Sequence, residues 1–327
     1  MELRFTDKIT LARVGSPALS SPALICLVLM FIWLTLPIKA QASSSAAQPR
    51  STHPPLVVLY KIPQLANSEH STFEIEILKL ALDKTIAEFG PYQLEGVSLI
   101  NPARTLVLLN EDAYPNLIIH LSYEDEIATR ENIIFSPFPI YRGASAYRLC
   151  FVRDELKNQI KGVINKEQLK PYHFGVGIGW IETKIFRHNG LDPVEGNGIL
   201  SLFRMTKAGR VDFFCRSVME YAEELDHPSS LGLSSAPNFA LYHPLPKFLF
   251  AHKNSKPALD RIHKGLNIAF QDGSFEQLWR RYHLAAFEKA HLKERRLIRL
   301  ENPFIEHLPS DYETYLFDPI SYQYDSH

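Results

Sequence analysis

The sequence predicts an α/β protein in which strands and helices alternate to build doubly wound, mainly parallel sheets. Two observations carry that reading. Short uninterrupted apolar runs, such as Leu56–Tyr60 (LVVLY) and Leu117–Ile119, have the composition of strands buried on both faces. Between them lie stretches of helical periodicity, closed by Gly or Pro punctuation.

Leu56–Tyr60 is the first strand. Ser71 and Glu74 have capping-box spacing. The helix that follows sets Phe73, Ile77, Leu80, Ala81, Lys84 and Phe89 near one stripe, and Gly90-Pro91 stops it. Tyr92–Ile100 reads as the second strand. Asn101-Pro102 opens a second helix, Pro115-Asn116 breaks it, and Leu117–Ile119 is the third strand. A polar loop with Arg130 comes next, and the strand Arg148–Val152 then leaves the region. In the following unit Phe174–Gly179 (FGVGIG) is a glycine-laced strand and turn, and Trp180–His188 is a short helix ended by Asn189-Gly190. Gly198–Lys207 is another helix, after which Gly209-Arg210-Val211-Asp212 turns into the strand Phe213–Cys215. Glu220–Glu224 reads as a solvated acidic face. Leu245–Phe250 is a return strand, and Ser255-Lys256-Pro257 starts a helix with the stripe Leu259, Ile262, Leu266, Ala269 and Phe270. Asp272-Gly273-Ser274 then turns the chain into Phe275, Leu278, Trp279 and Tyr282.

Three of these stretches, in this order, resemble the type II periplasmic solute-binding proteins that serve amino-acid-type ABC importers. The first is a strand ending at a polar loop, with Thr129-Arg130 and Phe135-Ser136-Pro137 before the strand that crosses to a second lobe. The second is Gly209-Arg210-Val211-Asp212 ahead of an apolar strand, and the third is the ending helix, Asp272-Gly273-Ser274, helix, Tyr282. The resemblance covers roughly Leu56 to His283. It implies a two-lobed periplasmic-binding-protein-like type II fold, each lobe a doubly wound, mainly parallel sheet flanked by helices. The first lobe would be discontinuous, residues 56–148 and 246–290, and the second would be residues 149–245. Residues 291–327 form a C-terminal extension with no counterpart in the family. Its Lys293–Arg296 charge cluster reads as a solvated face, and its aromatic tail (Tyr312, Tyr315, Phe317, Tyr322, Tyr324) either wraps back over a lobe or stays partly disordered.

The 327 residues, 46% hydrophobic and 22% charged, suit two domains with real cores. Net charge is −1, and −3 once residues 1–42 are set aside, a near-neutral balance that argues against nucleic acid as the main partner, which would need a concentrated basic face. Residues 1–42 have the form of a secretory signal peptide. Arg4, Lys8 and Arg13 precede the apolar run Ala23–Leu36, and Ala40-Gln41-Ala42 offers a small-x-small cleavage site. That run is shorter than the ~20 residues a membrane span needs, although Pro37 and Ile38 lengthen it slightly and an uncleaved anchor is the alternative. Cys26 lacks the small residue expected before a lipidated cysteine. Residues 43–55 are a polar linker. Export implies the periplasm, where Cys150 and Cys215 could pair. Each lies in a strand-like apolar run, which favours buried free thiols.

Ligands of open α/β sheets bind beyond the carboxyl ends of strands. The candidate binding residues are therefore Tyr60, Ser122, Tyr123 and Arg130 in the first lobe and Trp180, Arg216 and Ser217 in the second. The resemblance assigns Arg130 to a ligand carboxylate, which a planar, permanently charged guanidinium suits. The alternative is a surface arginine paired with Glu126 or Glu131. Where relatives place an aspartate for an α-ammonium this chain has Ser217 with Arg216 beside it, and Trp180-Ile181 replaces their Ser/Thr pair. An ordinary α-amino acid is thereby disfavoured. An anionic or aromatic solute is expected instead, with Tyr60 and Trp180 as stacking walls and Arg130 and Arg216 as charge partners. Trp180 could equally pack a core at a helix start, and Arg216 could bridge to Glu220 or Asp212. Gly175-x-Gly177-x-Gly179 lacks nucleotide-loop spacing. The scattered histidines offer no metal site, and no nucleophile elbow is present, so no cofactor is expected. The predicted function is binding, not catalysis. A monomeric exported protein would clamp a small solute between its lobes by hinge closure and present it to an ABC permease or a membrane sensor. The alternatives are a partner-binding protein with a decayed cleft, or a dehydratase-like enzyme using Glu124 or Glu220.

Overall fold

The computed structural model describes residues 54–62, 69–99, 102–309 and 311–323; the expected signal peptide, most of the linker and Tyr324 lie outside them. The chain opens with β1 (Leu56–Lys61), α1 (Glu69–Asp83), the one-turn α2 (Ile86–Phe89), β2 (Tyr92–Val97), α3 (Pro102–Asn110), β3 (Leu117–Ser122), α4 (Asp125–Ala128) and β4 (Ile133–Ser136). β5 (Tyr147–Arg153) carries it into a second sheet, followed by α5 (Asp154–Ile160), β6 (His173–Gly177), α6 (Glu182–His188), β7 (Asp192–Gly196), α7 (Ile199–Lys207), β8 (Phe213–Ser217), α8 (Val218–Glu224), β9 (Leu233–Ser235) and β10 (Phe239–Tyr242). β11 (Lys247–His252) returns to the first sheet, and α9 (Lys256–Gln271), α10 (Ser274–Ala290) and β12 (Arg296–Arg299) complete the chain.

The first sheet has the order β2-β1-β3-β11-β4, with β2, β1 and β3 parallel and β11 antiparallel to both neighbours. The second runs β12-β10-β5-β8-β6-β7, with β9 pairing on β5. Its β7, β6 and β8 are parallel, while β5 and β10 are antiparallel. Each sheet with its helices is one lobe.

Period-2 alternation sets what each strand contributes. On β3, Ile118 joins the core under α1, whereas Leu117, Ile119, Leu121 and Tyr123 pack in a separate cluster with Phe248 and Phe250. On α1, Phe73, Ile77 and Ala81 recur every four residues and are all buried, as the helical stripe predicts, while Phe89 is exposed. α1 begins at Glu69, so Glu74 is not a cap: it accepts a hydrogen bond from the Tyr141 hydroxyl at 2.6 Å. α9 lies against α1 so closely that a Cβ at Gly265 would overlap the Ala81 carbonyl.

Several expectations are corrected. Cys150 and Cys215 are not free thiols; they face each other in register on β5 and β8 and form a disulfide. Apolar burial and bonding are compatible, because directly opposed cross-strand positions bring Cβ atoms together. Glu220–Glu224 is not a solvated face, since Glu224 is only 8% exposed and Glu220 and Glu224 both pair with Arg216. In the 293–296 cluster, Arg295 is half-buried and donates to the carbonyl of Ala290 at 2.8 Å, and Arg296 opens β12. The edge strand β7 was hidden by its Pro and Gly, which edge strands tolerate.

The extension is a strap. β12 runs parallel to β10 in the second sheet. Asn189, just after α6, then exchanges two hydrogen bonds with the Glu301 backbone at 2.8 and 2.9 Å. Asp125 of α4, in the first lobe, accepts the backbone N–H groups of Glu306 and His307, while its own N–H donates to Phe304. Farther on, the Phe317 N–H donates to the Arg142 carbonyl, and its ring packs on Trp279 and Phe287 at 4.7 and 5.2 Å.

The disulfide closes a loop with a sequence separation of 65 residues. Replacing both cysteines by alanine is expected to lower unfolding stability by about 4 kcal/mol, by restoring loop entropy to the unfolded chain. Denaturant titration of the double variant checks this, and an unchanged midpoint would contradict the bridge.

Candidate functional site

The strands of the two sheets are joined at two places, 137–146 and 243–246, and charged side chains converge around that passage. From the first lobe come Lys61 at the end of β1, Glu74 on α1, His120 on β3 and Lys247 at the start of β11. Tyr141, fully buried in the passage, donates to Glu74, and His120 Nε2 lies 3.1 Å from the same carboxylate. Lys247 Nζ stands 5.4 Å from the Tyr141 ring centre. Burial raises the Tyr141 pKa well above its ordinary value, and the carboxylates of Glu74, Glu220 and Glu223 add to this. The last two belong to α8, so the lobes' charged faces meet here. Tyr60, Lys61, Glu74 and His120 line a cavity of about 20 Å³, enough for roughly one water molecule.

The second lobe contributes Arg148 on β5 and Arg216 on β8, each with a side chain 4% exposed. Arg216 Nε donates to Glu224 Oε2 at 2.8 Å and its terminal nitrogen to Oε1 at 2.8 Å, a bidentate grip, with Glu220 3.0 Å away. Its guanidinium lies 5.1 Å from the Trp180 ring centre and 5.5 Å from that of Phe214. Burial pulls the Arg216 pKa down, but Glu220 and Glu224 more than offset it and hold it above the usual arginine value. Arg148 pairs with Glu182 and lies 3.8 Å from Glu220. Ser217 caps α8 in a full capping box with Glu220. Trp180 lies flat on Gly177, where any Cβ would collide with its ring, which accounts for that glycine in the FGVGIG stretch.

The structure thus places Tyr60 and Ser122 at the strand ends beside this passage, with Ser122 in register with Lys247. Tyr123 points the other way. It is 1% exposed, meets Phe135 and Phe248 edge-on, and donates its hydroxyl to the His307 carbonyl. Burial, helped by Asp125, pushes its pKa up to about 12. Packing with Phe248 and Phe250 commits Tyr123 to the apolar cluster, which leaves Ser122 as the one of the pair beside the passage. Arg130 is half-exposed and pairs with Glu126 at 3.4 Å. Glu126 also receives Lys184 of α6, which bridges to Glu124 as well, so Arg130 sits at a clasp between the lobes rather than among the Lys61–Glu74 group. Trp180, Arg216 and Ser217 do come together, with Arg216 bridged to Glu220 and Glu224.

Sequence reasoning overlooked Lys61, Glu74, His120, Tyr141, Arg148, Glu182 and Lys247. One signal was available: His120, Arg148 and Arg216 interrupt otherwise apolar strands, and a charge there must find a partner. His243, between β10 and β11, is wholly buried with neither ring nitrogen hydrogen-bonded, and its backbone N–H donates to the Ala146 carbonyl of the other passage. Burial, reinforced by Arg148, holds its pKa well below the ordinary value. Among the described residues no His, Cys, Asp and Glu cluster could hold a metal, and no helix is long and apolar enough to cross a membrane.

No protein-family model matches the chain, and no curated protein does. Solved structures do. The GluR0 ligand-binding core in complex with L-glutamate is 13% identical with a TM-score of 0.54, covering 71% of this chain and 99% of its own. The substrate-binding protein of an amino acid ABC transporter is 14% identical with a TM-score of 0.50, covering 70% and 99%. A histidine kinase sensor domain with similarity to periplasmic binding proteins is 15% identical with a TM-score of 0.51, covering 71% and 96%. At these identities the likeness is one of fold.

Two measurements probe the buried charges. Glu224→Gln should destabilise the protein by about 3 kcal/mol, since it leaves the Arg216 charge under-compensated, whereas Arg130→Ala at its exposed pair should cost less than about 1 kcal/mol; equal losses in chemical denaturation would contradict the burial argument. His243 titrates in the unfolded chain at its ordinary value of 6.5 but lower in the folded one. Its contribution to stability is therefore complete above pH 6.5 and is lost as pH falls toward the folded value. Melting temperatures between about pH 7 and pH 5 should fall less steeply in His243→Phe than in the parent protein.

Proposed function

With the fold of the type II periplasmic solute-binding proteins as premise, we propose that this chain is an exported binding protein that holds a small solute between its two lobes. One observation carries the reading. Where the chain passes between the sheets, beyond the carboxyl ends of β1, β3, β6 and β8, Tyr141 donates to Glu74 of α1 and senses the Glu220 and Glu223 carboxylates of α8. Opposed charged faces on two lobes attract each other, and a solute that completes the contacts of both adds to the advantage of the closed arrangement over the open one. The closed form would be presented to an ABC permease or a membrane sensor, the two settings that the fold's neighbours represent.

Binding is preferred to catalysis because both carboxylates that chemistry would recruit are committed. Glu124 pairs with Lys184, and Glu220 caps α8 and pairs with Arg216. A second reading, a partner-binding protein with a decayed cleft, is favoured by the small cavity and by the strap that ties α4 to the second lobe.

A screen of amino acids, dicarboxylates and aromatic acids by thermal shift separates the two. A solute at 100 times its Kd should raise Tm by about 5 °C and reduce the radius of gyration in solution scattering. No shift and no scattering change with any solute would overturn the binding proposal and support the decayed cleft.

A further inference from the structure

Lys61 and Lys247 flank β3, the central strand of the first sheet. Both ammonium groups are half-buried, and among the described residues neither takes part in an ion pair. The nearby carboxylate, Glu74, is engaged by the Tyr141 hydroxyl at 2.6 Å and by His120 at 3.1 Å. Two positive charges thus stand near one negative charge that is already hydrogen-bonded. The opposite lobe has the reverse balance, with Arg148 and Arg216 set among Glu182, Glu220, Glu223 and Glu224. Both guanidinium groups are paired with carboxylates that outnumber them, and the one buried donor of theirs left without a partner is Arg148 Nε.

Unpaired, half-buried ammonium groups are costly to keep, and these two repel each other. Burial lowers the Lys61 pKa, Glu74 counters this, and Lys247 lowers it further. An anion placed between them would relieve both penalties. An ammonium is a compact point charge suited to any oxyanion, without the planar match that a guanidinium demands.

Building on the binding reading, we propose that the solute is an oxyanion, a carboxylate or phosphate, whose negative group is held by Lys61 and Lys247 at the first-lobe wall of the cleft. Arg130 plays no part in holding it. The second-lobe wall, rich in carboxylates, repels that end of the solute and so fixes its orientation.

The full chain and the variants Lys61→Met, Lys247→Met and Arg130→Ala are to be tested by thermal shift and calorimetry against four probes: succinate, inorganic phosphate, putrescine and glucose. Succinate or phosphate is expected to raise Tm, the better of the two identifying the anion type, while putrescine and glucose do not. Each lysine variant is expected to lose at least about tenfold in affinity, with Arg130→Ala unchanged. Unliganded Lys61→Met should melt at or above the parent temperature, because a buried charge and its repulsion are gone; a clear fall would make Lys61 a structural residue and overturn the assignment. Retained anion affinity in both lysine variants would also overturn it. A response to putrescine or glucose alone would sink the lysine assignment and leave solute binding standing, whereas silence from all four would sink both.

Discussion

A guanidinium cannot be left uncompensated in a protein interior, and Arg216 on β8 shows how much structure that constraint organises. It requires Glu224 at the end of α8 and Glu220 one turn earlier, which sets the rotation of that helix. Glu220 also caps α8 through Ser217, so the helix start and the ion pair share one carboxylate. The flat side of the guanidinium rests near Trp180, and Trp180 in turn needs a bare Gly177 beneath it. Arg148, one strand away, extends the network to Glu182. The second-lobe wall thus engages both of its guanidinium groups internally and keeps an excess of carboxylates.

Such an assembly gives the passage between the lobes a polarity. Carboxylates accumulate on the second-lobe side and ammonium groups on the first, with the Tyr141 hydroxyl and Glu74 between them. Unlike faces attract when no solute intervenes, which is consistent with the narrow cavity at Tyr60 and Lys61. A solute must then compete with protein–protein contacts for the same groups, and its charge pattern becomes the basis of selection.

The C-terminal strap adds a second restraint. It begins as β12 in the second sheet, crosses to α4 in the first lobe and ends against Trp279 and Phe287. Lys184 of α6 reaches Glu124 and Glu126 beside the same crossing and lies 5.8 Å from the Phe304 ring centre. Arg142, under cation–π contact with Trp279 and Phe317, has its pKa lowered to about 10 by burial, with Arg280 adding to the effect. Relative movement of the lobes therefore involves residues that lie outside the two sheets' own helices.

The amino-acid sequence by itself determined the alternation of strands and helices, because apolar period and Gly/Pro punctuation are local properties. Leu56–Tyr60, the Phe73–Ile77–Ala81 stripe, the 199–207 helix and the pair of helices around Asp272-Gly273-Ser274 all follow from them. It also placed Arg216 and Trp180, as separate candidates, at the second lobe's strand ends. Only the tertiary structure decided which charges meet. Register across β5 and β8 set Cys150 opposite Cys215, the alternation of β3 turned Tyr123 away from Ser122, and the fold of the passage brought Glu74 to Tyr141 across 67 positions of sequence. Those outcomes depend on pairings between distant segments, and no local propensity encodes a partner that lies so far along the chain.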